Sequence, residues 1–440
     1  MTAPHDTLAP VILSIAYPYA PIGSNAVGGA EVILSQIEAA LPSLGLQSVV
    51  VAHAGSQPRG RLYPTTVPAG EITEAFRAAV EDSQQQAIDR ALAENPVALV
   101  HLHGLDFHRY RFPAHLPVLV TLHLPPAWYP ESIWSLPPNF HLLCVSETQK
   151  QACPESVRDR LDVVPNGVPL PDTSALRPAG RYALMMARIC EEKNLHTGLD
   201  AARLADMPAM LAGEVFPYEA HQRYFAEQIE PRLNHSGNAH QSRAGEPSPS
   251  HADARFLGPV TGAAKSRLLA RAACLLLPSL APETSSLVAM EALAAGVPVI
   301  AMASGAVPEI VEHGRTGFLL SPQLGSGAEA AQAMADAIAR LPEIDRRLCR
   351  SVAEERFGLD RMLQTYRTLY QRYALQGLSP IANINDSKID LSAAAHTSVP
   401  AVATTAALLT TAEQLTALAP AWTRLWNHDP RATPFQHPAW

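Results

Sequence analysis

The sequence predicts an α/β protein built from two doubly wound, mostly parallel sheets. Three observations carry that expectation. Short, continuously apolar runs recur along the chain, as in strands covered on both faces. Helical stretches separate them. The series then starts afresh after a turn-rich segment, Val164-Pro165-Asn166-Gly167-Val168-Pro169. At about 100–200 residues per domain, 440 residues hold two such units with chain to spare. Composition agrees, since 47% hydrophobic and 17% charged residues suit packed cores and exclude a chain disordered as a whole.

Val11 to Ala16 reads as the first strand. A loop rich in Pro, Gly, Ser and Asn follows, and then a helix that opens at Gly28-Gly29-Ala30-Glu31 and runs to Leu41. Residues 48–53, 98–103, 117–123 and 141–146 repeat the apolar strand pattern, with a helix expected over 82–95. The second series begins at 181–189. Strands at 208–212, 254–257, 273–277 and 298–301 alternate there with helices at 194–205, 217–231, 262–272 and 286–295. Beyond 320 the pattern turns helical, and Leu359, Met362, Tyr366, Tyr370 and Tyr373 fall at helical spacing, as packing residues do. The expected organisation is a domain over 1–170, a second over 171–377, a linker over 378–400 and a tail over 401–440. Residues 234–252 read as an insertion, and the tail as an amphipathic helix with Leu415, Leu418, Trp422 and Leu425 on one side.

Lys plus Arg number 33 against 41 Asp plus Glu, a formal charge of −8 with the 17 His neutral, which disfavours nucleic acid as the main partner. Five cysteines, odd in number and without C-x-x-C spacing, suggest neither a disulfide framework nor a zinc site and fit a reducing compartment. The N-terminus has no basic region ahead of its short apolar run, and no segment approaches the ~18 apolar residues of a membrane span. A cytoplasmic protein is expected, with peripheral membrane contact left open.

In open α/β sheets ligands sit beyond the carboxyl ends of strands, often with an anion on a helix N-terminus. Gly28-Gly29 lies where such a terminus is expected, although an ordinary loop-to-helix turn would look the same and the G-x-G-x-x-G dinucleotide fingerprint is absent. Arg188 and Lys193 follow a buried-type strand and can clamp a diphosphate, Arg by a fork and Lys as a point charge. A solvated loop pairing with Glu191 or Glu192 is the plainer alternative. Glu283 and Glu291 stand eight positions apart, at and within an Ala/Leu/Val/Met helix whose burial makes an unpaired carboxylate costly. Carboxylate oxygens accept strongly from sugar hydroxyls, while the N–H groups near Ser286, Leu287 and Val288 suit phosphate oxygens. His101 and His103 are spaced for a metal but lack an evident third ligand. Trp128, Tyr129 and Trp134 either offer faces on which an acceptor stacks or cap the core.

Taken in order, GGAE (28–31), TLH (121–123), VSE (145–147), VPNGV (164–168), the R-x4-K pair, AGE (212–214), FLG (256–258), LLPS (276–279), the Glu-x7-Glu segment, GVPVIA (296–301) and PEIVEHGRTGFLL (308–320) resemble glycosyltransferase family 4 over roughly residues 10–377. Members are retaining nucleotide-sugar transferases with the GT-B fold, two Rossmann-like domains facing across a cleft. The resemblance implies that Arg188 and Lys193 neutralise the donor diphosphate, that Glu291 accepts from the ribose, and that Glu283 accepts from the transferred sugar. It further implies that Gly29 lets the backbone approach phosphates or acceptor, and that His123 lies near the donor sugar. It implies a UDP-sugar as co-substrate, an unknown acceptor, and no metal or other cofactor. One departure is Ser285-Ser286, where many members carry an aromatic and a Gly; small residues there keep the close backbone approach. The tail is similar to the opening of acetyltransferase-like domains and includes no acyl-CoA site, which suggests a truncated or split fusion. An epimerase or phosphorylase on the same fold, or a non-catalytic nucleotide-sugar-binding module, remain as alternatives.

Overall fold

The computed structural model of the chain describes residues 9–24, 26, 28–68, 73–172, 180–233 and 253–374. The expected insertion at 234–252, linker at 378–400 and tail at 401–440 lie outside the described residues. By backbone proximity the described residues form two compact units, one running to Val100 and including Arg109–Arg111, the other made of His101–His108 and the chain from Phe112 onward.

The first sheet has seven strands: β1 (Val11–Ile15), β2 (Gln47–His53), β3 (Arg61–Thr65), β4 (Val97–Leu102), β5 (Val118–Leu122), β6 (Phe140–Cys144) and β7 (Asp162–Val163), in the order β3-β2-β1-β4-β5-β6-β7. Helices α1 (Gly29–Ala40), α2 (Glu74–Glu94), α3 (Glu147–Gln151) and α4 (Glu155–Arg158) connect them. The second sheet contains β8 (Ala183–Met186), β9 (Ala209–Ala212), β10 (Ala254–Phe256), β11 (Cys274–Leu277), β12 (Val299–Met302) and β13 (Gly317–Leu320), ordered β10-β9-β8-β11-β12-β13. Its helices are α5 (Leu195–Leu204), α6 (Glu219–Tyr224), α7 (Gly262–Ala270), α8 (Leu287–Ala294), α9 (Val307–Ile310), α10 (Ala328–Ala339), α11 (Arg346–Arg356) and α12 (Leu359–Ala374). The pairs β1–β2, β2–β3, β5–β6, β8–β9, β8–β11, β11–β12 and β12–β13 are all parallel.

Burial follows the sequence pattern. Every residue of β1, β5, β9, β11 and β12 is buried, as strands covered on both faces must be. Three strands escape the apolar reading. β3 carries Pro64 inside RLYPT, tolerable at a sheet edge where its missing N–H removes no ladder bond. β13 is the opposite kind of edge, four residues long, and β7 has only two. Helix α2 starts earlier than expected, at an N-cap where Thr73 Oγ1 accepts from Phe76 N at 3.1 Å; of its first two turns only Val80 is buried, so they carry no apolar stripe. The helix expected over 217–231 breaks into α6, a π turn at Phe225–Ile229 and a 3-10 turn at Glu230–Arg232 that contains Pro231. In α12, Tyr366 and Tyr370 are fully buried, as packing residues should be, yet their hydroxyls also make hydrogen bonds. No helix among the described residues is long and apolar enough to cross a membrane.

Candidate functional site

In the second sheet the strand order reverses between β8 and β11, which pair directly through Cys274↔Ala183 and Leu275↔Leu184. Ligands of open α/β sheets bind in the crevice that such a reversal opens beyond the carboxyl ends. The loops leaving these two strands carry Arg188 and Lys193 on one side and Glu283 on the other, with Glu291 in α8 directly after.

Lys193 and Glu283 meet. Nζ lies 2.5 Å from Oε1, with side chains only 16% and 14% exposed. Local chemistry sets that contact. Asn194, fully buried, adopts the left-handed conformation (φ 53°) that Asn tolerates better than most residues. Its Nδ2 donates to Pro278 O at 3.1 Å, and its Oδ1 accepts from Thr197 Oγ1 at 2.7 Å. Leu280 N donates to Glu192 O at 3.0 Å. The turn bearing Lys193 is therefore registered against the loop bearing Glu283 by backbone as well as charge.

Arg188 is held more loosely. It is 47% exposed and its Nη2 lies 3.5 Å from Glu192 Oε1, the pairing the plainer sequence reading anticipated. A contact that long and exposed contributes little, so the guanidinium is free to turn.

Glu291 has a partner that sequence reading missed. Lys265 of α7 donates to Oε1 at 2.7 Å and stands 2.6 Å from Oε2. The ammonium thus straddles the carboxylate, within reach of both oxygens. Burial pushes the Glu291 carboxyl above its ordinary value of 4.5, and the Lys265 charge and hydrogen bond oppose that rise. A folded-state value above the unfolded one means that ionised Glu291 opposes folding, so its contribution improves as pH falls through the raised value towards 4.5. Glu291→Gln is accordingly expected to cost little or no thermal stability at pH 7, with Lys265, 26% exposed, turning its ammonium to water. Melting curves of the two proteins should show any advantage of the variant vanishing on acidification; a variant whose relative stability instead improves at low pH contradicts the assignment.

Ser286 caps α8, its Oγ accepting from Ala289 N at 3.4 Å. The N–H groups of Leu287 and Val288, in the first turn, have no intrahelical acceptor within reach. Thr284 Oγ1 donates to the carbonyl of His123 at 2.8 Å, seating the His123 backbone beside the Glu283 loop. Burial pushes the His123 imidazole down to about 4, so the ring is neutral.

The remaining candidates divide. Gly28 is the extended N-cap of α1 and Gly29 its first residue, both exposed. Of the aromatics, Trp128 is 57% exposed and Trp134 half-buried. Tyr129 is buried, and its hydroxyl accepts from His123 N at 3.1 Å and Leu124 N at 3.2 Å, so this ring belongs to the fold that positions His123, not to a stacking surface. Both ring nitrogens of His101 are taken, by Tyr370 and Thr121 at 2.8 Å each. No group of three His, Cys, Asp or Glu among the described residues is placed to hold a metal.

Comparison with known proteins bears on the family and the fold. Residues 27–171 match the family model described as Glycosyltransferase Family 4, and residues 209–343 the one described as Glycosyl transferases group 1. A curated relative, N-acetyl-alpha-D-glucosaminyl L-malate synthase of Bacillus anthracis, is 33% identical over 93 residues, 20% of this chain and 23% of that protein; the match thus spans about a quarter of the relative's length. Among solved structures, sucrose-phosphate synthase of Thermosynechococcus elongatus is similar at 19% identity and TM-score 0.63, over 82% of this chain and 98% of that one. Anabaena Alr3699/HepE, solved in complex with UDP-glucose, is similar at 19% identity and TM-score 0.59, over 82% and 99%. At such identities these two share the fold: two parallel sheets flanked by helices, as in GT-B glycosyltransferases. With both family models matched in tandem across more than half of its length, the chain belongs to the glycosyltransferases of the family 4 type.

Proposed function

We propose that the chain transfers a sugar from a nucleoside-diphosphate sugar, of the UDP class, to an acceptor hydroxyl with retention of anomeric configuration and without a divalent metal. One observation supports this above the others. At the crevice where the second sheet reverses, each glutamate of the Glu-x7-Glu segment stands against a lysine, so two carboxylates and two ammonium groups are gathered in one largely buried cluster. Each carboxylate oxygen has more than one lone pair, so Glu291 can accept from ribose hydroxyls while Lys265 stays against it. The Anabaena neighbour was solved with UDP-glucose, which makes UDP the first nucleotide to test.

In this reading the donor diphosphate draws the Lys193 ammonium and the mobile Arg188 fork, while Glu283 turns its lone pairs to hydroxyls of the sugar. Charge builds on the diphosphate as its bond to the anomeric carbon breaks, and the two cations act where that charge develops. The acceptor oxygen bonds to the anomeric carbon from the face the diphosphate leaves, and its proton passes to the departing phosphate oxygen. Neither carboxylate is needed as nucleophile or acid, in contrast to glycoside hydrolysis. Trp128 is the exposed aromatic left to meet an acceptor.

A thermal-shift panel of nucleoside diphosphates tests the reading. A ligand at 100 times its Kd stabilises by about 2.7 kcal/mol, and each kcal/mol moves the midpoint of a domain of this size by roughly 2–4 °C. UDP is therefore expected to raise the midpoint by about 5–10 °C. Absence of any shift with every nucleotide overturns the reading. Isomerisation of the donor without acceptor would replace transfer by epimerisation, and phosphate-dependent release of sugar phosphate would replace it by phosphorolysis.

A further inference from the structure

Three histidines from the ends of β4 and β5 form a series of adjacent rings, the first two buried, that transfer alone does not account for. The His101 and His103 rings lie 4.1 Å apart between centroids, and His103 and His123 5.2 Å apart with planes 23° from parallel. His103 Nδ1 and His123 Nε2 are 2.9 Å apart, a hydrogen bond in which one ring must donate and the other accept. His103 is buried, and its other nitrogen, Nε2, has no hydrogen-bond partner among the described residues. His123 is half-buried, and its Nδ1 makes no hydrogen bond among them.

Those facts select between two arrangements. In one, His103 carries its proton on Nε2 and accepts from His123 at Nδ1, which strands a buried N–H with no acceptor. In the other, His103 carries its proton on Nδ1 and donates to His123, which leaves a bare ring nitrogen inside. An orphaned buried donor is the rarer and costlier fault. Burial depresses the affinity of both rings for a second proton, so neither escapes the choice by becoming an imidazolium. His101 fixes the stack from behind, since Tyr370 and Thr121 hold both of its nitrogens and Thr121 Oγ1 lies 3.1 Å from Tyr366 OH.

We propose that His103 is a positioning residue which donates from Nδ1 to His123 Nε2 and so locks His123 as an Nδ1–H donor towards a hydroxyl or ring oxygen of the bound sugar. The inference rests on the transferase reading for the identity of that oxygen and on nothing else in it. His123 is anchored at three backbone points of its own neighbourhood: Tyr129 OH accepts from the N–H groups of His123 and Leu124, and Thr284 donates to the His123 carbonyl. Position is thus set by backbone contacts, and only the tautomer is left for His103 to decide.

The tautomer can be read in the ligand-free full chain by nitrogen-15 spectra of histidine-labelled protein, with the His123 signals assigned by their loss in His123→Asn. Wild type is expected to show His123 protonated on Nδ1. His103→Asn places an amide donor near the old Nδ1 and should keep that tautomer and the turnover number. His103→Leu removes the donor, should shift His123 towards the Nε2–H form, and should lower kcat about tenfold, the worth of roughly one hydrogen bond, with less change in the donor KM. A wild-type His123 protonated on Nε2 overturns the proposal, as does an unchanged His123 tautomer in His103→Leu or equal loss of kcat in the two variants. If His103→Leu does not fold, the wild-type and His103→Asn spectra still decide. Failure of the transferase reading would look different, as absent turnover in wild type with the Nδ1–H tautomer intact.

Discussion

Replacing Lys193 by Met is expected to weaken UDP binding by about 10- to 100-fold, the value of one charge-assisted hydrogen bond to phosphate in a partly dry site. The same change leaves the Glu283 carboxylate, 14% exposed, without its cation, so thermal stability falls as well. Arg188→Met separates the two effects. Arg188 is 47% exposed and its contact with Glu192 is long, so its loss should scarcely move the melting midpoint while still weakening UDP. Lys193→Arg should not restore binding, because a planar fork does not fit the place of a compact ammonium 2.5 Å from Glu283. Titration calorimetry with UDP measures all three. An unchanged Kd in Lys193→Met would remove the cationic grip from the mechanism, and an equal loss of stability in Arg188→Met would mean the exposed pair had been misjudged.

The sequence was most readable where function and burial coincide. β8 and β11 are apolar throughout because helices cover both faces, and the loops leaving them announced Lys193 and Glu283 by position. Edge strands β3 and β13 escaped, β3 because exposed and polar residues interrupt it, and β13 because its apolar run, Phe318–Leu320, is only three residues long. Lys265 escaped for a different reason: it meets Glu291 across 26 positions, a distance that local spacing does not encode. A compositional signal pointed to it all the same. The chain has only four lysines, Lys150, Lys193, Lys265 and Lys388, among 33 basic residues, and two of the four face the two glutamates of one segment. In a protein that uses arginine almost everywhere, a lysine marks a place where a compact charge is wanted. Tyr129 shows the converse limit, because an aromatic in a Pro-rich loop reads identically whether its ring meets a ligand or its hydroxyl holds a strand end.

Gly305→Ala should inactivate the protein from outside the charged cluster. Gly305 has φ +57°, a left-handed conformation that costs an L-residue roughly 1–2 kcal/mol. A Cβ there would also press on the backbone N and O of Glu283, closer than any non-bonded contact allows. That backbone is already committed, since Ala306 N donates to Glu283 O at 2.7 Å, and rigid backbone cannot step aside as a flexible side-chain tip would. Relief therefore has to come from moving Glu283, which breaks its contact with Lys193 and misplaces both ends of the proposed donor grip. Gly314 supplies the control. Its φ is +74°, yet nothing lies within 4 Å of a Cβ built on it, so Gly314→Ala carries the conformational cost alone. Gly314→Ala should lower the melting midpoint by only about 2–8 °C and keep the UDP-induced shift. Gly305→Ala should lose distinctly more stability and the UDP shift with it. Equal melting midpoints for the two variants, or a full UDP shift in Gly305→Ala, would show that the Glu283 backbone can yield without disturbing the pair it serves.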